Sequence, residues 1–66
     1  MKIVCNGETR KVAAGTRLGE FITGLGLDPD SVVAEYDGKI LNRDEYDDLV
    51  LREGAVIELI RFVGGG

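Results

Sequence analysis

Histidine is absent from this sequence of 66 residues, and Cys5 is its single cysteine. Without histidine the chain lacks the commonest general base near neutral pH and the commonest metal ligand. One cysteine cannot form a disulfide within the chain, and alone it makes no zinc site. We therefore expect a protein of the reducing cytoplasm that binds no metal or cofactor and is not an independent enzyme.

Long apolar segments are also missing. No run approaches the roughly 20 residues of a membrane span, and the first residues lack the apolar region of a signal peptide. The 12 acidic residues outnumber the 8 basic ones, giving a net charge of -4, which argues against nucleic acid as a partner. This acidity could match a basic partner surface, although so modest a charge more often serves solubility. We expect one soluble domain, away from membranes and monomeric when free.

The first twelve residues have the pattern of a β-hairpin. Ile3 and Cys5 share one face of the expected strand 2–6, and Asn6-Gly7 is the strongest signal for a two-residue turn. Residues 8–12 then form the returning strand. Because free cysteine is among the most buried residue types, we interpret Cys5 as a structural thiol and not as a sulfur acceptor.

An apolar stripe at helical spacing follows the hairpin and predicts one helix. Thr16 is the expected N-cap, and the glycines at positions 24 and 26 are expected to end the helix. The stripe consists of Leu18, Phe21, Ile22 and Leu25.

The second half of the chain predicts further strands separated by turns. Asp37-Gly38 is a second two-residue turn, and the polar residues 42–48 are expected to form a loop with one helical turn. The acidic group within that loop, at positions 44–48, lacks the spacing of a calcium loop and is interpreted as a solvated face. The expected strands are 32–36, 39–41 and 55–63, with 49–51 as a further candidate.

The last strand has two apolar faces. We assign Ile57 and Leu59 to the core, which leaves Ile60 and Phe62 on the opposite side. A sheet covered by one helix exposes its other face, where large apolar residues can form a docking patch. The alternative is that the alternation slips near the end of the strand and Phe62 packs on the body. We predict that Ile60 and Phe62 contact a protein partner.

The order of these elements is that of an α+β fold with a β-grasp (ubiquitin-like) arrangement. We expect a mixed sheet of four to five strands, one main helix on one face, and the last strand beside the first and parallel to it. Residues 1–63 would form this domain, and residues 64–66 a flexible tail.

The tail Gly64-Gly65-Gly66 has two interpretations. Glycines are common at frayed chain ends, where they have nothing to pack. Alternatively, three extended glycines can carry a terminal carboxylate about 10 Å from the body and pass through a narrow channel. Such a carboxylate is anionic at neutral pH, so it needs activation by a partner before sulfur can attack its carbonyl carbon.

Several short segments, taken in order along the chain, resemble the ThiS family of thiamine-biosynthesis sulfur carriers. Together with the overall length and the terminal glycines, their order and spacing give the resemblance its specificity. The segments are Met1-Lys2-Ile3, Asn6-Gly7-Glu8, Gly15-Thr16 with Leu18, Val33-Ala34, Asp37-Gly38, Asn42-Arg43, residues 53–59 and residues 62–66.

The resemblance implies a β-grasp fold and a sulfur carrier with Gly66 as the covalent carrier. A ThiF-like adenylating enzyme would activate Gly66 with ATP and Mg, and a sulfur donor protein would supply the sulfur. The resulting thiocarboxylate would serve the thiazole synthase ThiG. Gly65, and less strictly Gly64, would thread the tail into these partners.

Three other functions remain open from the sequence. The small subunit of molybdopterin synthase shares the fold and the activation chemistry but passes its sulfur to a pterin precursor. A ubiquitin-type modifier would join Gly66 to a lysine of a target protein. A plain β-grasp interaction domain would carry inert terminal glycines.

Overall fold

The computed structural model describes residues 1–62, which form a five-stranded sheet with one α-helix. The predicted α+β class, strand number and single main helix are confirmed. Neither this helix nor the two 3-10 turns is long and apolar enough to cross a membrane. The elements are β1 (Lys2–Cys5), β2 (Glu8–Lys11), α1 (Leu18–Gly24), a 3-10 turn (Pro29–Ser31), β3 (Val32–Tyr36), β4 (Lys39–Ile40), a second 3-10 turn (Arg43–Glu45) and β5 (Val56–Arg61).

The sheet has the strand order β2-β1-β5-β3-β4. The last strand, β5, lies between β1 and β3, parallel to β1 and antiparallel to β3. The two outer pairs, β1 with β2 and β3 with β4, are antiparallel hairpins. This is the predicted mixed β-grasp sheet, with β5 at its centre.

Both predicted two-residue turns are present. Asn6 and Asp37 adopt φ values of 49° and 50°, and the glycines that follow them have φ values of 81° and 85°. Positive φ at both positions matches the right-handed twist of the flanking strands. Asn6 also binds the backbone of Leu59, accepting from its N–H at 2.8 Å and donating to its carbonyl at 3.3 Å. The first turn is therefore fixed to β5 as well as to its own hairpin.

One face of the sheet packs against α1 and against residues 41–51. Ile3 and Ile57 of the sheet are fully buried beneath Leu18 and Ile22 of the helix. Apolar residues recur at every second position in the strands and at every third or fourth position in the helix, so each element has one apolar face. These faces meet in one contiguous core. The other buried core residues are Cys5, Phe21, Val32, Ala34, Leu41, Tyr46, Leu51, Ala55 and Leu59.

Tyr46 is the polar anchor of this core. Its hydroxyl donates to the carbonyl of Val32 at 2.7 Å and accepts from the N–H of Ala34 at 3.0 Å. Both bonds lie at the edge of β3 where Leu41 also binds the Ala34 carbonyl. The sequence predicted the helical turn in residues 42–48, which is present, but not the burial of Tyr46. That burial depends on how the loop folds back over β3.

The predicted helix cap at Thr16 is wrong. The Thr16 hydroxyl donates instead to the carbonyl of Ala13 at 2.7 Å, which stabilises the turn before the helix. The N-cap is Arg17, whose backbone N–H donates to the Glu20 carboxylate at 2.9 Å. A carboxylate three residues ahead can satisfy the first backbone donors, so the cap does not require a hydroxyl.

Residues 49–51 do not rejoin the sheet. They form an isolated bridge between Val50 and Arg17, flanked by backbone hydrogen bonds from Leu18 to Leu49 and from Leu51 to Thr16, each 2.9 Å long. The segment pairs with the residues at the start of the helix, whose backbone donors and acceptors are available. The backbone groups at the centre of the sheet are already paired with neighbouring strands.

Candidate functional site

Strand β5 presents its residues alternately to the core and away from it. Ile57 is 0% exposed, whereas Ile60 and Phe62 are 57% and 53% exposed on the side away from the helix. The structure thus places both predicted docking residues at the surface and together, two positions apart. Their docking role stays a prediction.

The surface away from the helix is called the open face below. The pairing register places the outward residues of all five strands on this face. The open face carries both exposed apolar residues and like-charged register partners. Its members are Lys2 and Val4 of β1, Thr9 and Lys11 of β2, Val33 and Glu35 of β3, Ile40 of β4, Val56, Glu58 and Ile60 of β5, and Phe62.

Ile40 is an open-face residue that the sequence analysis missed. It is 68% exposed and lies opposite Glu35 in the hairpin of β3 and β4. The signal was present in the turn: with Asp37-Gly38 as the two central residues, Tyr36 pairs with Lys39 and Glu35 with Ile40. Counting outward from the turn therefore identifies the face of Ile40.

The charges of the open face lie in bands across the strands. Glu35 lies directly opposite Glu58, and Lys2 lies directly opposite Lys11. Since Val4 pairs with Val56, the lysine band and the glutamate band are separated along the strands by an apolar band. Ile60 and Phe62 form a further apolar band beyond the glutamates.

The described part of the chain ends at Phe62, one residue after β5. Its backbone N–H donates to the carbonyl of Ser31, the residue before β3, at 3.2 Å. The hydrogen bonding between the two segments thus continues one residue beyond β5. Gly64, Gly65 and Gly66, predicted as the threading and carrier residues, lie outside the described residues, as does Val63.

Cys5 lies on the core side of β1 and is only 4% exposed. Burial raises the pKa of its thiol, and the nearby Arg10 opposes this only in part. A protonated, buried thiol is a poor nucleophile at neutral pH. The thiol borders a surface crevice of about 340 Å³ that Leu25, Leu59 and Arg61 also line. The geometry agrees with the interpretation of Cys5 as a structural residue.

The acidic residues at positions 44–48 do not converge on one point. Arg43 binds Asp30 at 2.7 Å (Nε to Oδ1) and lies 4.0 Å from Asp47 (Nη1 to Oδ2). The hydrogen bond to Asp30 raises the pKa of the Arg43 guanidinium. Within residues 1–62, histidine, cysteine and carboxylate side chains form no group of three or more that could hold a metal ion.

Comparison with known proteins gives a consistent result. The model of the ThiS family matches residues 3–66, which includes the three glycines. The crystal structure of the thiamine biosynthesis protein ThiS from Geobacter metallireducens is 28% identical, with a TM-score of 0.84 over the whole of both chains. The solution structure of a thiamine biosynthesis protein from the same organism has a TM-score of 0.81 at 28% identity, covering all of this chain and 88% of the other.

Two curated relatives are much longer than this chain. Thiazole synthase from Magnetococcus marinus is 41% identical over 66 residues, and thiazole synthase from Paramagnetospirillum magneticum is 32% identical over the same length. Both alignments cover 100% of this chain and 20% of the relative. The chain thus spans about a fifth of the length of these relatives.

Proposed function

The chain belongs to the ThiS family, and from this premise we propose that it is a sulfur carrier that donates sulfur for thiazole formation in thiamine biosynthesis. The observation that carries the proposal is the family match, which continues from the folded body through Gly66. The similarity to a fifth of two thiazole synthases supports the link to thiazole formation.

In the proposed reaction Gly66 is the covalent carrier. A ThiF-like adenylating enzyme uses ATP and Mg to join the Gly66 carboxylate to AMP, which releases pyrophosphate. Sulfur at the sulfide level, supplied by a donor protein, then attacks the carbonyl carbon, AMP leaves, and the chain ends in a thiocarboxylate. The sulfur of this group is the nucleophile used by the thiazole synthase ThiG. The chain supplies no catalytic group of its own and acts as a co-substrate, in the cytoplasm and as a free monomer.

The fold supports this role by holding β5 firmly at the centre of the sheet. Hydrogen bonds on both edges of β5, to β1 and to β3, fix the position and direction of this strand in the sheet. Gly64 and Gly65 then thread into the partner, because residues without a Cβ pass where larger ones would be excluded. In this proposal the folded domain is the part that partners bind, and the C-terminal group is the part that reacts.

Docking belongs to the same proposal. Among the open-face residues, Ile60 and Phe62 lie closest in sequence to the tail, and both expose apolar side chains. A partner that covers them gains apolar contact at the point from which the tail departs. We assign this contact to the adenylating enzyme, to ThiG, or to both in turn, since one carrier must visit each.

The test is intact-protein mass spectrometry after incubation with a ThiF-type adenylating enzyme, ATP, Mg and a sulfur donor. The full-length chain should acquire one sulfur in place of one oxygen, and fragmentation should locate the change at Gly66. A chain lacking Gly66 should fold normally and acquire none, because its carboxylate is displaced by about 3.3 Å, well beyond the tolerance of catalytic alignment.

Gly65→Val separates reach from passage in the same experiment. The variant keeps the length of the tail but adds bulk and disfavours any positive φ that the channel requires. It should fold normally and acquire sulfur poorly. A full-length chain that never acquires sulfur, or a truncated chain that acquires it equally well, would remove Gly66 from its assigned role.

A further inference from the structure

Two acidic residues lie on neighbouring strands at the centre of the open face. Glu35 and Glu58 are register partners on β3 and β5; Glu58 is exposed and Glu35 is half-buried. Like charges directly opposite each other on neighbouring strands are unfavourable. Neither carboxylate forms an ion pair with another residue in the part of the chain between positions 1 and 62. Within residues 1–62 the two like charges therefore lie on neighbouring strands without a cation that compensates for them.

The neighbours of this pair on the open face are apolar. Ile40 lies opposite Glu35 on its other side, and Val56 and Ile60 flank Glu58 two residues away in each direction along β5. Two residues of a strand span about 6.8 Å. The nearest open-face cations, Lys2 and Lys11, lie about 13 Å away along the strands, since Val4 is level with Val56. A partner that covers Ile60 must therefore also cover the carboxylates or lie beside them.

We propose that Glu35 and Glu58 together bind one cationic side chain of the protein that docks on the open face. This inference rests on the proposed function and specifies the chemistry of its docking partner. Carboxylates that lose their water need a charged, hydrogen-bonding counterpart, so a purely apolar partner surface is excluded. Arginine suits the site best, because its planar fork of donors reaches two carboxylates on adjacent strands.

A second copy of this chain fits the open face less well. An antiparallel face-to-face pair places lysines over glutamates only when its two-fold axis lies at the level of Val56. Ile60 and Phe62, further along β5, would then project beyond the lysine band and remain uncovered. The band pattern therefore favours a different protein with a cation beside an apolar site for these two residues.

The acidic pair also sets the direction of docking. It lies two residues before Ile60 and four before Phe62, so an ion pair here fixes which end of β5 points into the partner. Charged contacts of this kind set register and specificity, and removing one partner lowers the affinity because the other charge is left buried without its counterpart. Apolar contact at Ile60 and Phe62 alone would also permit the reversed orientation, in which the tail points away from the partner's active site.

The experiment compares the full-length chain with the double variant Glu35→Gln, Glu58→Gln. The urea midpoint of the free variant should be equal to or higher than that of the native chain, because the like-charge repulsion is removed. Its affinity for the adenylating enzyme, measured by calorimetry at low salt, should fall by about tenfold or more. Added salt should weaken the native complex more than the variant complex.

Lys2→Gln, Lys11→Gln is the matched control, since it removes the other like-charge pair from the same face. It should change the affinity by less than about threefold, as expected for charges outside the apolar contact. The single variant Glu58→Gln gives the same comparison with one substitution, and should lose affinity without losing stability.

Three outcomes would overturn the inference. In the first, the glutamine variants bind as tightly as the native chain. In the second, their loss of affinity is accompanied by a lower urea midpoint. In the third, sedimentation shows that the native chain is a dimer and that the glutamine substitutions dissociate it. These are distinct from failure of the proposed function, which is a native chain that never acquires sulfur. A native chain that acquires sulfur, with variants that dock unchanged, contradicts only the role of the acidic pair.

Discussion

Both faces of the sheet carry large apolar residues, but these are buried on one face and exposed on the other. Ile57 and Ile60 are three positions apart on β5, yet the first is fully buried and the second is 57% exposed. One face is covered by α1 and residues 41–51, whereas nothing within residues 1–62 covers the other. The comparison shows that apolar character alone does not tell a core residue from a surface residue.

Polar groups differ between the faces in the same way. On the covered face each buried side-chain nitrogen or oxygen within residues 1–62 has a hydrogen-bond partner. The open face instead holds two like-charged pairs, one acidic and one basic. The covered face accounts for the core of the free chain, and contact of the open face with a partner stays a proposal.

Alanine substitutions at the two isoleucines give the largest expected difference. Ile57→Ala should lower the free energy of unfolding by about 2 to 5 kcal/mol, because it leaves a cavity in the core. Ile60→Ala should lower it by less than about 1 kcal/mol, as is usual for a surface position. Urea unfolding followed by circular dichroism measures both. Equal losses would show that the open face also contributes to the core.

Glutamate substitutions on the open face should reverse this pattern. Ile60→Glu and Phe62→Glu should fold normally but bind the adenylating enzyme more weakly by about 2 kcal/mol or more, as for apolar anchors at the centre of an interface. Val50→Glu is the matched control, because Val50 is 50% exposed but lies outside the open face. Variants that unfold would place these side chains in the core, and variants that bind normally would end the docking proposal.

Removing the Tyr46 hydroxyl should have a smaller effect on stability. Tyr46→Phe leaves the Val32 carbonyl and the Ala34 N–H without their partner, which costs about 1 to 2 kcal/mol. Tyr36→Phe is the control, since the Tyr36 hydroxyl accepts one bond from the Arg52 N–H in an exposed position. If both variants lost equal stability in thermal unfolding, the polar anchor of the covered face would have no special weight.

The smallest effect is expected at Cys5. Because burial raises the pKa of its thiol, folding favours the protonated form, and this contribution is lost as the pH rises through the raised value. Native protein should react with a thiol reagent at least about tenfold more slowly than urea-unfolded protein at the same pH. Cys5→Ala should remove the thiol-dependent part of the alkaline stability profile and still acquire sulfur at Gly66. Loss of sulfur acquisition would contradict the structural interpretation of Cys5.

Much of the fold was predictable because its signals are local. The strand period, the two-residue turns and the helical stripe each depend on residues close in sequence, so the α+β order and the two faces of β5 followed from them. The position of Tyr46 and the pairing of Val50 with Arg17 depend on contacts between distant segments, which no local pattern reports. The cap at Arg17 was missed because the capping group belongs to Glu20.

The functional site was predictable only in part, for the same reason. Alternation along β5 placed Ile60 and Phe62 on the open face, but the pairing of Glu35 with Glu58 requires the register between β3 and β5. That register is set by the whole sheet. Gly64, Gly65 and Gly66 were identified from the sequence and the family resemblance alone, and their roles stay predictions.

The central place of β5 has a consequence for folding kinetics. Within residues 1–62, β5 is the last strand in sequence and its parallel partner β1 is the first, so the pairing of Val4 with Val56 closes a long stretch of chain. Such a long closure makes late, cooperative assembly the expected route. A chain in which β5 has not yet paired has neither the finished open face nor a fixed direction of β5. If partners dock on the open face as proposed, they would bind only chains that have completed folding.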